Sequence, residues 1–232
     1  MKPRTPVLIV TFLVISLARI APADIVSGGS GSMNMGYMTV SLGDLNSHLE
    51  SLNLPTLMSG YTTVGFTGHY MIGKLYAGAE AHAILEGEQS MGGLRGSLLG
   101  GYFQPTIGYL AYTHGNLAII PQIGLGYAQL KVNVEEDVIG SVNTSTVQSS
   151  GYVLDLSLGA EYVLPLDRSG RNTIGPVLGI RLGYTHPLSK TNWDLTADSD
   201  ILRYGFVEDI PRTGLRGYYL RFSIGGGGHV IR

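Results

Sequence analysis

Beyond residue 30 the chain alternates between apolar and small or polar side chains with a period of two. From Ile174 to Thr185, one phase carries Ile174, Pro176, Leu178, Ile180, Leu182 and Tyr184, and the other Gly175, Val177, Gly179, Arg181, Gly183 and Thr185. A strand sends successive side chains to opposite faces, so this segment predicts a strand with one apolar and one small or polar face. The pattern returns in Gly151–Leu164, where Tyr152, Leu154, Leu156, Leu158, Ala160, Tyr162 and Leu164 oppose Asp155, Ser157, Gly159 and Glu161. It returns again in 63–70, 117–128 and 217–225, and more weakly in 74–85, where Leu75, four alanines and Leu85 oppose Lys74, Tyr76, Gly78, Glu80 and His82. The stretches 33–42 and 94–112 also read as strands; in the second, Phe103, Ile107 and Tyr109 go on the apolar face and Gln104, Thr106 and Gly108 on the other. The total is eight strands. Most exceed the ~9–11 residues that a tilted strand needs to cross a hydrocarbon layer and the ~5–6 residues usual in a soluble sheet.

The connections alternate as well. Tight turns are expected near Ile72-Gly73, at Thr113 to Asn116 and at Asp167 to Gly170, and longer connections at about 43–58, 86–93, 133–149 and 187–215. Short turns at one end and long loops at the other are the habit of barrels that span an outer membrane, whose short turns lie in the periplasm. In the first long connection Leu45, Leu49 and Leu52 recur at helical spacing. A short amphipathic helix is expected over about 44–52, with Asp44 capping its start and Leu54-Pro55 ending it. The third, with Glu135, Glu136 and Asp137 ahead of a Ser/Thr/Asn stretch, reads as a solvated, mobile loop.

Composition narrows the choice. The chain holds 34 glycines, which disfavour helix and suit a sheet with close backbone approaches. It has no cysteine, which excludes a disulfide framework, Cys-ligated zinc, thiol catalysis and a lipid-modified N-terminus. Lys2 and Arg4, the apolar run Val7 to Ala18 and the small-x-small site Ala21-Pro22-Ala23 read as a signal peptide over residues 1–23, with a mature protein over 24–232. That run is too short for a spanning helix, which needs about 20 apolar residues. Processing would remove three of the 15 basic residues (Lys2, Arg4, Arg19) and leave twelve against 17 acidic ones, a net charge of −5. Such a balance lacks the basic surplus of a nucleic-acid-binding surface, so no nucleic-acid partner is expected.

Two barrel types share a period of two, and they differ in which face is oily. In a membrane barrel the apolar face points outward because lipid is the solvent there. A soluble exterior would carry many more charges and fewer glycines than the small-residue face of this chain. Tyrosines at 61, 70, 109, 112, 127, 152, 162, 184 and 218 sit toward strand ends, as in aromatic girdles. The expectation is therefore that Lys74, Glu80, His82, Gln122, Asp155, Glu161, Arg181 and Arg221 form a polar network inside the barrel. Three acids would face three bases there, with Asp155 about opposite Arg181 if the turn centres near Arg168. Pairing offsets the cost of taking such charges out of water. Eight strands enclose only enough room for side chains, so an open diffusion channel is not expected.

Candidate chemistry is sparse. There is no G-x-S-x-G nucleophile elbow, and the histidines at 48, 69, 82, 114, 186 and 229 do not recur at metal spacing. Glu80 and His82 share a strand face and could in principle orient a base. Trp193, Asp194, Asp198, Asp200, Glu208 and Asp209 enrich the last long connection in acids without the spacing of a calcium loop. Gly28-Gly29-Ser30-Gly31 does not sit between a strand and a helix, so it is no nucleotide loop. No metal, cofactor or catalytic residue is assigned.

The Ala21-Pro22-Ala23 ending, the alternating strands and the order of short turns and long loops resemble the small eight-stranded outer-membrane barrels, the group of the OmpA transmembrane domain, OmpX and OmpW. The likeness is one of architecture over the whole mature chain. It implies an all-β, antiparallel, eight-stranded up-and-down transmembrane β-barrel, monomeric in the bacterial outer membrane. Its partners would be outer-membrane lipid and extracellular ligands held through the long loops. The role implied is structural or surface-interacting. The alternatives are a lipid-modifying enzyme, as some eight-stranded barrels are, or a narrow channel for small solutes.

Overall fold

Alternation decides where strands form, and the change of solvent along the chain decides how far they run. The computed structural model describes residues 25–138, 141–166, 172–189, 193–197 and 213–231. The expected signal peptide, the turn at Asp167 to Gly170, and Asp198, Asp200, Glu208 and Asp209 lie outside the described residues. The strands are β1 (Ile25–Thr39), β2 (Gly60–Ile72), β3 (Leu75–Met91), β4 (Leu94–Tyr109), β5 (Tyr112–His114), β6 (Leu117–Val138), β7 (Ser141–Val163), β8 (Asn172–Pro187), β9 (Asp194–Ala197) and β10 (Gly217–Ile231). Helix α1 (Gly43–Ser51) connects β1 to β2.

Successive long strands pair antiparallel, and β10 returns to pair with β1 in a register that sets Met33 opposite Ile224 and Tyr37 opposite Leu220. Among the described residues, β1, β2, β3, β4, β6, β7, β8 and β10 thus close into an eight-stranded barrel. Short β5 continues the course of β4 along β6 after the chain bends at Leu110-Ala111. Closure leaves no row of unpaired backbone groups at membrane depth, where nothing else could satisfy them.

The oily face points outward. Phe66 is 61% exposed and Ile224 63%, and Met33, Met35, Phe103, Ile107, Leu125, Leu182 and Phe222 stand out beside them. This settles the phase of β1: Met33, Met35 and Tyr37 face out, and Asn34 and Met38 are buried. Tyr37, Tyr127, Tyr152 and Tyr218 ring the belt toward the α1 end, and Tyr70, Tyr109 and Tyr162 toward the short-turn end. Tyr61 departs from the expected girdle. It is buried among the apolar side chains inside, where its hydroxyl donates to the Met58 carbonyl at 2.6 Å.

Strand β6 shows why the wall is taller than a bilayer requires. From Leu117 to Tyr127 its outward residues are Leu117, Ile119, Ile123, Leu125 and Tyr127, over about the 9–11 residues that cross the hydrocarbon. Beyond Tyr127 the outward positions become Gln129, Lys131, Asn133 and Glu135, while the inward ones become the buried Leu130, Val132 and Val134. The alternation continues with its polarity inverted, as it must once water replaces lipid outside.

Two expected loops are therefore strands. The connection at 86–93 reduces to a two-residue turn, Gly92-Gly93, with φ of 59° and 86°, between β3 and β4 paired out to Met91 and Leu94. Positive φ at both central residues belongs to the hairpin turn whose twist matches the flanking strands, and glycine adopts it without strain. The connection at 133–149, expected to be solvated and mobile, is paired strand: β6 and β7 stay in register to Val138 and Ser141. Gln129, Lys131, Asn133 and Glu135 of β6 and Thr144, Gln148 and Ser150 of β7 face outward on this hairpin, while Ser145 and Ser149 join Val147 on its buried side, and β9 pairs along β7 with Leu195 opposite Val147.

Inside this taller section lies an apolar core. Met38, Leu42, Leu98, Leu130, Val132, Val147, Trp193 and Leu215 pack with Leu45 and Leu49 of α1, which roofs the barrel. The helix begins one residue ahead of the expected span. Asp44 lies in its first turn rather than capping it, and Leu42 is the N-cap with no side-chain bond. It ends where Asn53 turns left-handed at φ 55°, with Asn53 N–H bonded to Glu50 O at 3.0 Å, before Leu54-Pro55 is reached. A smaller cluster of Met71, Tyr76, Leu110, Ala118 and Ile120 closes the short-turn end.

Removing the Leu49 side chain from this roof is expected to destabilise the protein by about 2–5 kcal/mol, the usual range for a buried leucine. The sole tryptophan, Trp193, is 5% exposed in the same core. Urea titration in phospholipid vesicles, followed by its fluorescence, should show a lower midpoint for Leu49→Ala than for the half-buried Leu52→Ala.

Candidate functional site

Between the two apolar clusters the lumen is polar. Strand β3 brings Glu80 and His82 inward two residues apart, β4 brings Tyr102 and Gln104, β6 Gln122, β7 Asp155 and Glu161, β8 Arg181, and β10 Tyr219 and Arg221. Glu80 is the hub. Its Oε1 contacts Arg181 Nη1, and its Oε2 accepts from Arg221 Nη1 at 3.4 Å and lies 3.1 Å from His82 Nε2. His82 Nε2 is also 3.2 Å from Arg221 Nη1. The Arg221 guanidinium lies 3.5 Å from the Tyr219 ring centre and 5.3 Å from that of Tyr102, so two aromatic faces hold the charge that Glu80 balances. Glycines make the room: a side-chain carbon at Gly65 would strike the His82 ring, and one at Gly36 the backbone and stem of Arg221.

Two satellites flank the hub. Asp155 Oδ1 accepts from Tyr219 OH at 2.8 Å and Oδ2 from Thr185 Oγ1 at 3.1 Å. Glu161 Oε2 lies 3.4 Å from His69 Nε2, and His69 Nδ1 lies 3.3 Å from Ser30 Oγ. Gln122 is buried beside Gly108 and Gly159 without entering the ion cluster.

Of the eight expected network residues, Glu80, His82, Arg181 and Arg221 meet in one cluster, and Asp155, Glu161 and Gln122 line the same lumen around it. Lys74 does not join them. It sits in the Gly73-Lys74 turn, its ammonium 6.0 Å from the outward-facing Tyr109 ring, because the strand pairing of β2 with β3 ends at Ile72 and Leu75. Asp155 does not face Arg181 either. The β7–β8 register sets Asp155 opposite Thr185 and Arg181 opposite Gly159. The sequence reading passed over His69, Tyr102 and Tyr219, although His69 and Tyr219 share the inward phase of their strands.

The cluster is enclosed by the wall. Glu80 is 2% exposed, His82 5% and Arg221 2%. The cavity among Asn34, Thr67, Glu80, His82, Arg181 and Arg221 measures about 10 Å³, room for about one water. The Glu80–His82 pair points into the lumen, so the barrel wall separates it from the lipid outside. No residue group with the composition of a metal site occurs among the described residues.

A closed barrel, oily outside, ionic within and girdled by tyrosine at two levels, fits one environment. The fold is that of a small outer-membrane β-barrel.

No known protein family and no curated protein matches the chain in sequence. Solved structures similar to this barrel include Ail, the attachment invasion locus protein of Yersinia pestis, in complex with the heparin analogue sucrose octasulfate; it shares 11% identity over 88% of this chain and 99% of its own, with a TM-score of 0.43. A major outer membrane protein from Thermus thermophilus shares 10% identity over 88% of this chain and 98% of its own, with a TM-score of 0.42. OprG from Pseudomonas aeruginosa shares 11% over 88% and 94%, with a TM-score of 0.39. At these identities no side chain is carried over from one outer-membrane barrel to the other.

Glu80→Gln would leave the buried Arg221 guanidinium and the partly buried one of Arg181 facing a neutral amide. Breaking a buried ion pair on one side costs about 3–5 kcal/mol. Lys74→Gln, at the turn, should stay within about 0.5 kcal/mol of the parent. The urea concentration at which the compact, heat-modifiable gel band disappears should fall clearly for the first variant and not for the second.

Proposed function

We propose that the protein is a sealed, non-enzymatic anchor in the outer membrane that carries a stiff extracellular β-platform for contacts at the cell surface. The single observation behind this reading is the lumen: an ion cluster with about 10 Å³ of free space lies between two apolar layers. A conduit needs a continuous polar path, and an enzyme needs its reactive groups in reach of substrate. The arrangement here favours neither.

The surface role draws on the wall above the girdle. Strands β3, β4, β6 and β7 continue beyond the lipid belt as paired hairpins packed on α1, so whatever they present is held in one shape. Pre-organisation of this kind lowers the entropic cost of binding a partner. The partners proposed are outer-membrane lipid around the belt and extracellular ligands at the hairpins, with the barrel acting as a monomer.

Planar-bilayer recording tests the sealed lumen directly. The purified protein should insert without producing discrete current steps in molar potassium chloride. Reproducible unitary conductance that disappears on heat denaturation would mean a channel, and the anchor reading would fall.

A further inference from the structure

Above the girdle, between β1, β8 and β10, the outer wall carries a notch of about 400 Å³. Its floor is where β10 starts against the end of β1. Gly217 lies so close to the Thr39 carbonyl that any side-chain carbon there would collide with it, Thr39 Oγ1 accepts from Tyr218 N–H at 2.9 Å, and Ser41 N–H donates to Arg216 O at 2.8 Å. Its wall is the tyrosine pair Tyr184 and Tyr218, directly opposite in the β8–β10 register with ring centres 4.7 Å apart. Arg216 forms its rim. The Arg216 Nε donates to Tyr184 OH at 2.8 Å, which fixes the guanidinium plane, while the side chain remains exposed. Among the described residues lining the notch, Arg216 is the only charged one.

Height gives the notch its meaning. Arg216 and Tyr218 share the outward phase, so Arg216 lies one side-chain repeat, roughly 7 Å along the strand, beyond Tyr218 and away from the hydrocarbon. Below it on the same strand run Tyr218, Leu220, Phe222 and Ile224. Tyrosine rings mark the headgroup level of a bilayer. A guanidinium beside them, oriented through one nitrogen and open at the others among the described residues, matches a phosphate, which it can grip through two parallel hydrogen bonds. We propose that this notch binds the phosphate of a lipid headgroup in the outer leaflet, with Arg216 gripping the phosphate, Ser41 and Thr39 beside it, and the acyl chains lying down the apolar stripe of β10. The choice of a lipid over a free anion follows from that stripe, which continues without a break from the notch into the hydrocarbon belt.

The test uses the full chain folded into nanodiscs of phosphatidylcholine with a minor fraction of phosphatidic acid. Lipids that stay with the protein after mild detergent extraction are weighed by mass spectrometry. Phosphatidic acid should be enriched over phosphatidylcholine in the parent, and Arg216→Gln should lower that enrichment by about tenfold, as expected for losing a charge-assisted contact. Tyr184→Phe keeps the wall but frees the guanidinium, and should lower it by a few-fold at an unchanged heat-modifiable shift. Lys131→Gln, which removes another outward cation above the girdle, should leave it alone. Equal enrichment in the parent and Arg216→Gln would overturn the site, and so would an equal loss with Lys131→Gln. Inorganic phosphate that displaces the lipid at matched concentration would show a free-anion site and overturn the lipid assignment.

Discussion

Hydrocarbon offers a backbone no hydrogen-bond partner, and that constraint decides most of this structure. A chain that crosses as strands must satisfy every N–H and C=O from a neighbouring strand, so the sheet has to meet itself. Here it does so through β1 and β10, far apart in sequence and in register over most of their length. Once the sheet closes, the outer face is committed to lipid and the lumen to the side chains of the other phase. Eight strands make that lumen narrow enough for side chains alone to fill it. The charge it contains is largely withdrawn from water, so it has to find its partner there.

The glycine-rich composition follows from the same narrowness. Several of the aromatic rings and guanidiniums in the lumen fit because a neighbour across the strand pairing has no side chain. Gly65 faces His82, Gly36 faces Arg221, and Gly183 faces Tyr219. In each case an added carbon would collide with the larger partner. Large and bare positions are complementary halves of one packing scheme, in which Arg221 rests on Tyr219 and reaches Glu80. Glu80 in turn ties β3 to β8 and β10, so one carboxylate links opposite sides of the wall.

The period of two carried the fold in the sequence. It fixed the number of staves, the oily face and most of the inward residues, because face alternation is local and needs no knowledge of the partner strand. It could not fix which residues meet. Asp155 and Arg181 share the inward phase, yet the β7–β8 register separates them by four residues and gives Asp155 to Thr185 and Tyr219 instead. Register depends on where a turn begins and on the shear of the closed barrel, and neither is written in the alternation. Lys74 failed for a related reason, since phase alone cannot tell the last strand residue from the first turn residue. His69 and Tyr219 were visible on the inward phase, but only the three-dimensional pairing shows that they complete the charges of Glu161 and Asp155.

The misread loops have a deeper cause. Along β6 from Gln129 to Glu135 the outward residues are polar and the inward ones apolar, which is the reverse of the pattern below Tyr127. A reading tuned to lipid-facing strands takes this reversal for the end of the strand, whereas it marks the end of the lipid. One continuous β6 therefore belongs to two solvents, and its two halves are held by different forces. Within the bilayer, apolar surface gains little by leaving lipid for protein, so backbone pairing and the Glu80 cluster dominate. Above it water is present, and the hydrophobic effect drives Leu130, Val132, Val147, Trp193 and the leucines of α1 together as it would in a soluble domain. Among the described residues, the apolar cluster beneath α1 is thus held by water itself, which drives its side chains together where the lipid ends.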